Sequence, residues 1–198
     1  GFPGPVAPRK MPVASPITGR RAAAWGTYAR RPEHDALRVK DGHPGLSFAN
    51  KSVHSMEFKE LDLHPDLRRG LEDAGYVTCM PVQEKVFPHA FVGKDIYAQS
   101  QTGTGKTAAF LISIFQRIMT VPEVRDRKVL ILAPTRELAV QIEGEAKKLG
   151  KHLPISSGAF YGGVAYGPQV DMLRDNVQVI IGTPGRIIDF VNHGKMLL

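Results

Sequence analysis

The run with the clearest chemical potential is Ser100-Gln101-Thr102-Gly103-Thr104-Gly105-Lys106-Thr107, which lies between an apolar segment and a helical one. Its two glycines allow a tight loop whose backbone N–H groups point inward at an anion. The following helix adds the partial positive charge of its N-terminus. Lys106 is placed to reach nucleotide β- and γ-phosphates, and the Thr107 hydroxyl to coordinate Mg²⁺. The run predicts a phosphate-binding loop, although Ser100 stands where the strict pattern has glycine.

Segments of strand and helix character alternate around this loop, downstream of Met56. Apolar runs predict strands at 95–99, 128–133, 155–161 and 177–181, and helical spacing predicts helices at 64–74, 106–119, 137–149, 166–174 and 185–192. Strands that alternate with helices favour an α/β fold in which helices flank a parallel sheet. Ligands of such folds bind at the carboxyl ends of the strands, so the residues after each strand are the candidates for a site.

Three runs in this order resemble the first RecA-like domain of a DEAD-box RNA helicase: AQSQTGTGKT at 98–107, PTRELA at 134–139 and TPGR at 183–186. The phosphate loop alone indicates only a P-loop NTPase, whereas the other two runs are specific to that family. The resemblance covers residues 58–198. It implies a RecA-like P-loop domain with ATP and Mg²⁺ as cofactors, in which Lys106 and Thr107 serve catalysis and Thr107 contacts the metal.

The resemblance also implies an adenine site upstream of the loop. It assigns Gln83 to the adenine edge, where an amide offers both a donor and an acceptor, and it assigns Phe58, seventeen residues before Gly75, to stacking on the ring. The alternatives are a core aromatic at 58 and a helix-surface residue at 83. Cys79 and Met80 replace the usual proline and hydroxyl residue of the family, so we expect weaker ATP binding than in a typical member.

The remaining segments that follow strands are assigned by the resemblance to the sugar-phosphate backbone of one RNA strand. They comprise Pro134, Thr135, Arg136, Gly162, Gly163, Thr183, Pro184, Gly185 and Arg186. Backbone N–H groups and side-chain donors at such positions contact phosphate oxygens without reading bases, so RNA binding is expected to be independent of sequence. Two alternatives stay open: Thr135 and Thr183 cap helices, and Arg136 forms an ion pair with Glu137.

The acidic box and the second RecA-like domain of that family would come after Leu198. We therefore expect the sequence to be the ATP-binding part of an RNA helicase or ribonucleoprotein remodelling factor, inefficient by itself in hydrolysis or unwinding. The alternative is a catalytically inactive relative that assembles or docks on a ribonucleoprotein. A P-loop kinase or GTPase lacks support, because the base-binding segment precedes the loop.

Residues 1–50 differ in composition from residues 51–198 and are predicted to form an extended arm ahead of the partial domain. Residues 1–32 contain six Arg or Lys residues, many of the prolines and no acidic residue. This composition is typical of a solvated linker, of an organellar targeting segment or of an arm that lies on nucleic acid. We expect a mitochondrial protein whose arm contacts a large ribonucleoprotein such as a ribosome or its precursor; a nuclear or cytoplasmic location is the alternative.

The overall composition excludes several classes of protein. The 198 residues carry a net charge of +7 and include a single cysteine, Cys79. One cysteine excludes an internal disulfide framework and a cysteine-built zinc site. No apolar run is long enough for a membrane span, so no membrane partner is expected.

Overall fold

The structure is a computed structural model that describes residues 37–40 and 55–196. The arm predicted for residues 1–50 lies outside the described residues except for one short strand. The strands are β1 Leu37–Lys40, β2 Ile96–Gln99, β3 Val129–Leu132, β4 Ser157–Phe160 and β5 Val179–Gly182. The α-helices are α1 Pro65–Asp73, α2 Pro81–Ala90, α3 Lys106–Thr120, α4 Arg136–Leu149, α5 Tyr166–Arg174 and α6 Pro184–Asn192.

The helices and strands expected from periodicity are present, and two further elements were not predicted. Helix α2 buries Val82, Val86 and Phe87 on one face, but Pro88 in its interior masks the pattern because proline normally ends a helix. Strand β1 lies within the predicted arm, and its alternation of Leu37 and Val39 with basic residues is too short to stand out from a background without period.

All described strand pairs are parallel, as the sequence predicts, but they form two sheets. Strand β5 lies between β3 and β4, with Val179 opposite both Val129 and Ser157, while β1 pairs with β2. In the described residues β2 does not pair with β3. A groove of about 1030 Å³ lies beside β2 and β3. Apolar side chains line it, including Ile96, Ala98, Phe110, Ile114, Ile131 and Leu132.

Two apolar cores sandwich the three-stranded sheet. Val179 and Ile181 of β5 face the larger core with α1 to α4, whereas Ile180 faces a smaller core that contains Phe160 and Phe190. All four residues of β5 are buried, as expected for a parallel strand covered on both faces. Helices α4 and α6 therefore begin at the same edge of this sheet but pack against opposite faces. In the described residues, every helix is too short or too polar to cross a membrane.

Helix α1 approaches the end of α4 so closely that only glycine fits at position 70. A Cβ atom on Gly70 would lie 2.2 Å from the backbone oxygen of Leu149. At the end of α1, Asp73 accepts hydrogen bonds from Lys151 and His152, which lower the pKa of that exposed carboxyl to about 2. Backbone contact and surface ion pairs thus fix α1 against the C-terminal end of α4.

We predict that Gly70→Ala destabilises the fold by about 1–3 kcal/mol, because overpacking a closed contact forces the backbone to shift. The matched control is Gly144→Ala at an exposed position of α4, where a new Cβ meets nothing within 4 Å. That change is expected to stabilise by about 1 kcal/mol, the helix preference for alanine over glycine. Urea unfolding of both variants measures the difference, and equal shifts for the two would contradict the close contact.

Candidate functional site

The phosphate loop connects the end of β2 to the first residue of α3 and depends on two glycines in the left-handed region. Gly103 has φ +81° and Gly105 has φ +84°. A Cβ at Gly105 would also lie 2.7 Å from Nε2 of Gln83. Since Gly105 occupies the N-cap position without a side-chain cap, the first N–H groups of α3 are free to receive an anion.

The Lys106 ammonium group lies within its own loop. Its Nζ donates to the backbone oxygen of Ser100 at 2.6 Å and to the Ser100 hydroxyl at 3.0 Å, and it also contacts the carbonyl of Gln101. The hydroxyls of Ser100 and Thr104 lie 2.6 Å apart. Ser100, the residue that departs from the strict loop pattern, is thus a direct partner of the lysine. A bound phosphate would replace these oxygen atoms as partners of the ammonium group.

Thr107 is the residue of this loop suited to a metal ion. It is half-buried in the first turn of α3 and lines the groove beside Gly103 and Lys106, while Gln101 and Thr102 are exposed. No cluster of three or more His, Cys, Asp or Glu side chains that could hold a metal was found in the part of the chain that the structure describes. A hydroxyl beside a phosphate cradle fits Mg²⁺, which takes few protein ligands and binds mainly to phosphate oxygens and water.

Gln83 joins helix α2 to the phosphate loop. Its side chain is 1% exposed; Oε1 accepts from the Met80 N–H at 2.8 Å, and Nε2 donates to the Gly105 carbonyl at 3.2 Å. The predicted helix-surface alternative is wrong, because the amide is fully enclosed. Both ends of the amide are engaged by the protein, so contact with adenine requires it to exchange at least one partner.

The segment before Gln83 makes its contacts without the hydroxyl usual in the family. Cys79 is buried, which raises the pKa of its thiol to about 11, so the side chain is a neutral packing group. Met80 is exposed; its backbone N–H donates to Oε1 of Gln83, and its carbonyl accepts from the Gln83 N–H at 2.8 Å. The position of this segment therefore depends on backbone contacts.

Phe58 lies in the core, which is the alternative that the sequence left open for it, and its stacking on adenine stays a prediction. The ring is 3% exposed and packs edge-on against Tyr76, with a centroid distance of 5.6 Å, and against Phe87 at 6.0 Å. Little of the ring surface is therefore open to solvent. Tyr76 instead lines the groove together with the phosphate loop, and its hydroxyl donates to Glu145 of α4. Sequence reasoning gave Tyr76 no role, although it directly follows the turn at Gly75.

The three loops after β3, β4 and β5 meet at the carboxyl edge of the three-stranded sheet. We call these segments, residues 134–136, 162–163 and 183–186, the strand-end loops. Pairing of β5 with both neighbours sets them side by side, and the Thr183 N–H donates to the Phe160 carbonyl at 2.9 Å. A Cβ on Gly163 would lie 3.8 Å from Nη1 of Arg136. The structure thus brings together the residues that were predicted to contact RNA.

The alternatives left open for this edge are resolved residue by residue. Thr135 is a helix cap, since its Oγ1 accepts from the Leu138 N–H at 3.2 Å. Thr183 stands at the N-cap of α6 without a side-chain cap bond. Arg136 forms an ion pair with Glu137, which lowers the pKa of that carboxyl. Pro134, Gly162, Gly163, Pro184 and Gly185 are exposed, and Arg186 is half-buried.

Gln169 holds the loop after β4 in place and was missed by sequence reasoning. It is 4% exposed; Oε1 accepts from the Tyr161 N–H at 3.0 Å, and Nε2 donates to the carbonyls of Tyr161 and Ala165, each at 3.2 Å. These bonds join Tyr161 and Ala165, the residues on either side of the segment that contains Gly162 and Gly163. Gln169 precedes Val170 at a helix position where the sequence pattern favours an apolar core residue. A polar side chain at such a position is the signal that could have identified it.

Comparisons with known proteins agree with this geometry. The profile of the DEAD/DEAH box helicase family matches residues 80–197. A protein of Xanthomonas campestris named ATP-dependent RNA helicase RhlB is 46% identical over 154 residues, which is 75% of this chain and 27% of that protein. The protein of the same name from Shigella dysenteriae is 43% identical over 147 residues, 72% of this chain and 35% of its own length. The chain therefore spans only about a third or less of these relatives.

Solved structures show the same arrangement of helices and strands. A DEAD box protein from Methanococcus jannaschii aligns with a TM-score of 0.65 and 36% identity, over 72% of this chain and 39% of that one. A hypothetical ATP-dependent RNA helicase from Sulfolobus tokodaii aligns with a TM-score of 0.61 and 28% identity, over 68% of this chain and 38% of that one. The predicted RecA-like α/β fold is confirmed.

We predict that Gln169→Leu lowers stability by about 1–3 kcal/mol, because the Tyr161 N–H and the carbonyls of Tyr161 and Ala165 lose their hydrogen bonds to the buried amide. It is also expected to weaken binding of a single-stranded RNA oligonucleotide, since the loop after β4 loosens. Gln116→Leu is the control: that amide makes equivalent bonds to the His64 N–H and the Asp62 carbonyl, both at 2.9 Å.

Chemical unfolding and fluorescence anisotropy with labelled RNA measure the two effects. The control is expected to lose stability but to keep the RNA affinity of its folded fraction. If both variants bind RNA like the parent chain, Gln169 supports only the fold.

Proposed function

We infer that this chain, which belongs to the DEAD/DEAH box helicase family, is the ATP- and RNA-binding part of an ATP-dependent RNA helicase. The observation that carries the proposal is the pairing of two sites on one scaffold. A glycine-built phosphate loop opens α3, and the strand-end loops meet at the edge of the three-stranded sheet. The names of the relatives support RNA and ATP as the ligands.

Each part of the loop has a distinct function in the proposed ATP site. The N–H groups at the start of α3 hold the phosphates, and the Lys106 ammonium moves from its carbonyl partners to the β- and γ-phosphate oxygens. The Thr107 hydroxyl contributes one ligand to Mg²⁺. When bound, this ion neutralises negative charge on the phosphates.

The adenine end of the site is proposed to lie next to α2. Nε2 of Gln83 lies 3.2 Å from the Gly105 carbonyl. A base bound near this amide would therefore place the phosphates of the same nucleotide at the loop. Because Phe58 is enclosed in the core, Tyr76 on the groove is the aromatic side chain better placed to contact the ring. Loss of the usual hydroxyl at position 80 supports weaker ATP binding than in a typical member.

The strand-end loops are proposed to bind the RNA backbone. Exposed glycines at 162, 163 and 185 present backbone N–H groups, and Thr183 and Arg186 present side-chain donors. Donors of this kind contact phosphates and do not distinguish bases, so binding is proposed to be independent of sequence. The enzyme is favoured over an inactive docking factor, because the relatives compared are named helicases.

The arm is proposed to direct the protein to a ribonucleoprotein in mitochondria. What supports this is composition: residues 1–32 are basic, rich in proline and alanine and free of acidic residues, features shared with organellar targeting segments and with arms that lie on RNA. A ribosome or its precursor is a partner of matching charge. Sedimentation of mitochondrial extracts on a density gradient tests both parts, and recovery only as a free monomer outside the organelle would contradict them.

We predict that Lys106→Ala weakens ATP binding at least tenfold, about 1.4 kcal/mol, because the cation that reaches the phosphates is lost. Lys147→Ala serves as the control, since that lysine pairs with Glu143 on the outer face of α4. Calorimetric titration with ATP and Mg²⁺ measures both. An unchanged dissociation constant for Lys106→Ala would mean that the loop does not hold the triphosphate.

We further predict that removal of residues 1–32, which leaves β1 in place, flattens the dependence of RNA affinity on salt without changing sequence preference. Each basic side chain that contacts an RNA phosphate releases counterions on binding, and this release sets how steeply affinity falls with salt. Anisotropy titrations of the full and shortened chains over a range of salt concentrations measure the slopes. Identical slopes would show that the arm contacts no phosphates.

A further inference from the structure

The guanidinium group of Arg186 lies against two aromatic rings at the edge of the strand-end loops. Its central carbon is 5.3 Å from the ring centroid of Tyr166 and 5.5 Å from that of Phe190. The two rings lie 5.0 Å apart with a tilt of 46°. Distances of this size are those of cation–π contacts, so the rings hold the charged group in one orientation.

The two rings beside Arg186 belong to different helices, α5 and α6. Phe190 is fully enclosed in the smaller core, so it forms a fixed wall. Tyr166 is half-buried and is the first residue of α5, directly after the loop that contains Gly162 and Gly163. Its ring therefore links the loop after β4 to the Arg186 side chain, which belongs to the loop after β5.

One end of the guanidinium group has no hydrogen-bond partner among residues 37–40 and 55–196. This end is Nη1 of Arg186, which is shielded from solvent. Asp189, one turn along α6, pairs with His193 at 3.2 Å. A buried cationic N–H without an acceptor is unfavourable. Nη1 itself is closed to a ligand, so the N–H groups on the open side of this half-buried side chain are the ones left for a phosphate oxygen.

We propose that Tyr166 is a positioning residue for RNA binding: its ring holds the Arg186 guanidinium against Phe190 so that the group faces a phosphate of the bound strand. The inference rests on the proposed RNA site and adds a residue to it. It concerns the ring and not the hydroxyl, because the contact is between the ring face and the cation. It also links the loop after β4 to the loop after β5, since movement of α5 would displace the arginine.

The test uses the full chain with Tyr166→Leu, Tyr166→Met, Tyr166→Phe, Arg186→Gln and the double variant Tyr166→Leu with Arg186→Gln. The probe is a fluorescein-labelled oligouridylate, with affinities measured by anisotropy across a salt series. We expect Arg186→Gln to lower the salt slope by about 0.7, the value for one phosphate contact on a single strand. Tyr166→Leu and Tyr166→Met should produce most of that loss, Tyr166→Phe almost none, and the double variant no more than Arg186→Gln alone.

Several outcomes would overturn the proposal. Additive losses in the double variant would mean that Tyr166 contacts RNA by itself, for example by stacking on a base. Lower thermal stability with an unchanged salt slope would mean that the ring only packs the core, and a large loss in Tyr166→Phe would implicate the hydroxyl. If the parent chain does not bind the probe, the RNA site fails and this inference with it. If the parent chain binds and Tyr166→Met matches it, only the inference fails.

Discussion

Parallel pairing on both sides of β5 is the constraint on which the strand-end loops depend. Because β3, β5 and β4 run in the same direction, each chain leaves the sheet at the same edge. Burial of β5 on both faces then requires helices above and below, and these helices begin at that edge. The loops do not need to contact one another strongly, since the register of the strands already places them together.

The phosphate loop depends on a second, more local interaction. Gln83 crosses from α2 to the Gly105 carbonyl, and the positive φ of Gly105 lets the backbone pass close to that amide. This hydrogen bond connects the segment around Gln83, which is proposed to contact the base, directly to the loop. The loop borders the groove between β2 and β3, whereas the strand-end loops belong to the other sheet, so the two sites lie on separate parts of the scaffold.

Periodicity predicted most of the elements, and the resemblance of three runs to a known family assigned both groups of candidate site residues, which the structure places after β2, β3, β4 and β5. Other features needed three-dimensional information. Pro88 hid α2 from a pattern-based assignment, and no spacing rule distinguishes Phe58 in the core from an aromatic on the groove. Gln169 and Tyr166 act through contacts with backbone and guanidinium groups whose positions depend on the packing of α5 and α6.

The proposed ATP site requires the Lys106 ammonium to leave its partners in the loop and to reach a triphosphate. Hydrogen–deuterium exchange of the chain with and without ATP and Mg²⁺ tests this, because the loop and first-turn amides would donate to the phosphates. We expect slower exchange in the peptide that spans residues 102–108, together with a change in the α2 peptide that contains Gln83. Unchanged exchange in the loop peptide at saturating ATP would contradict it.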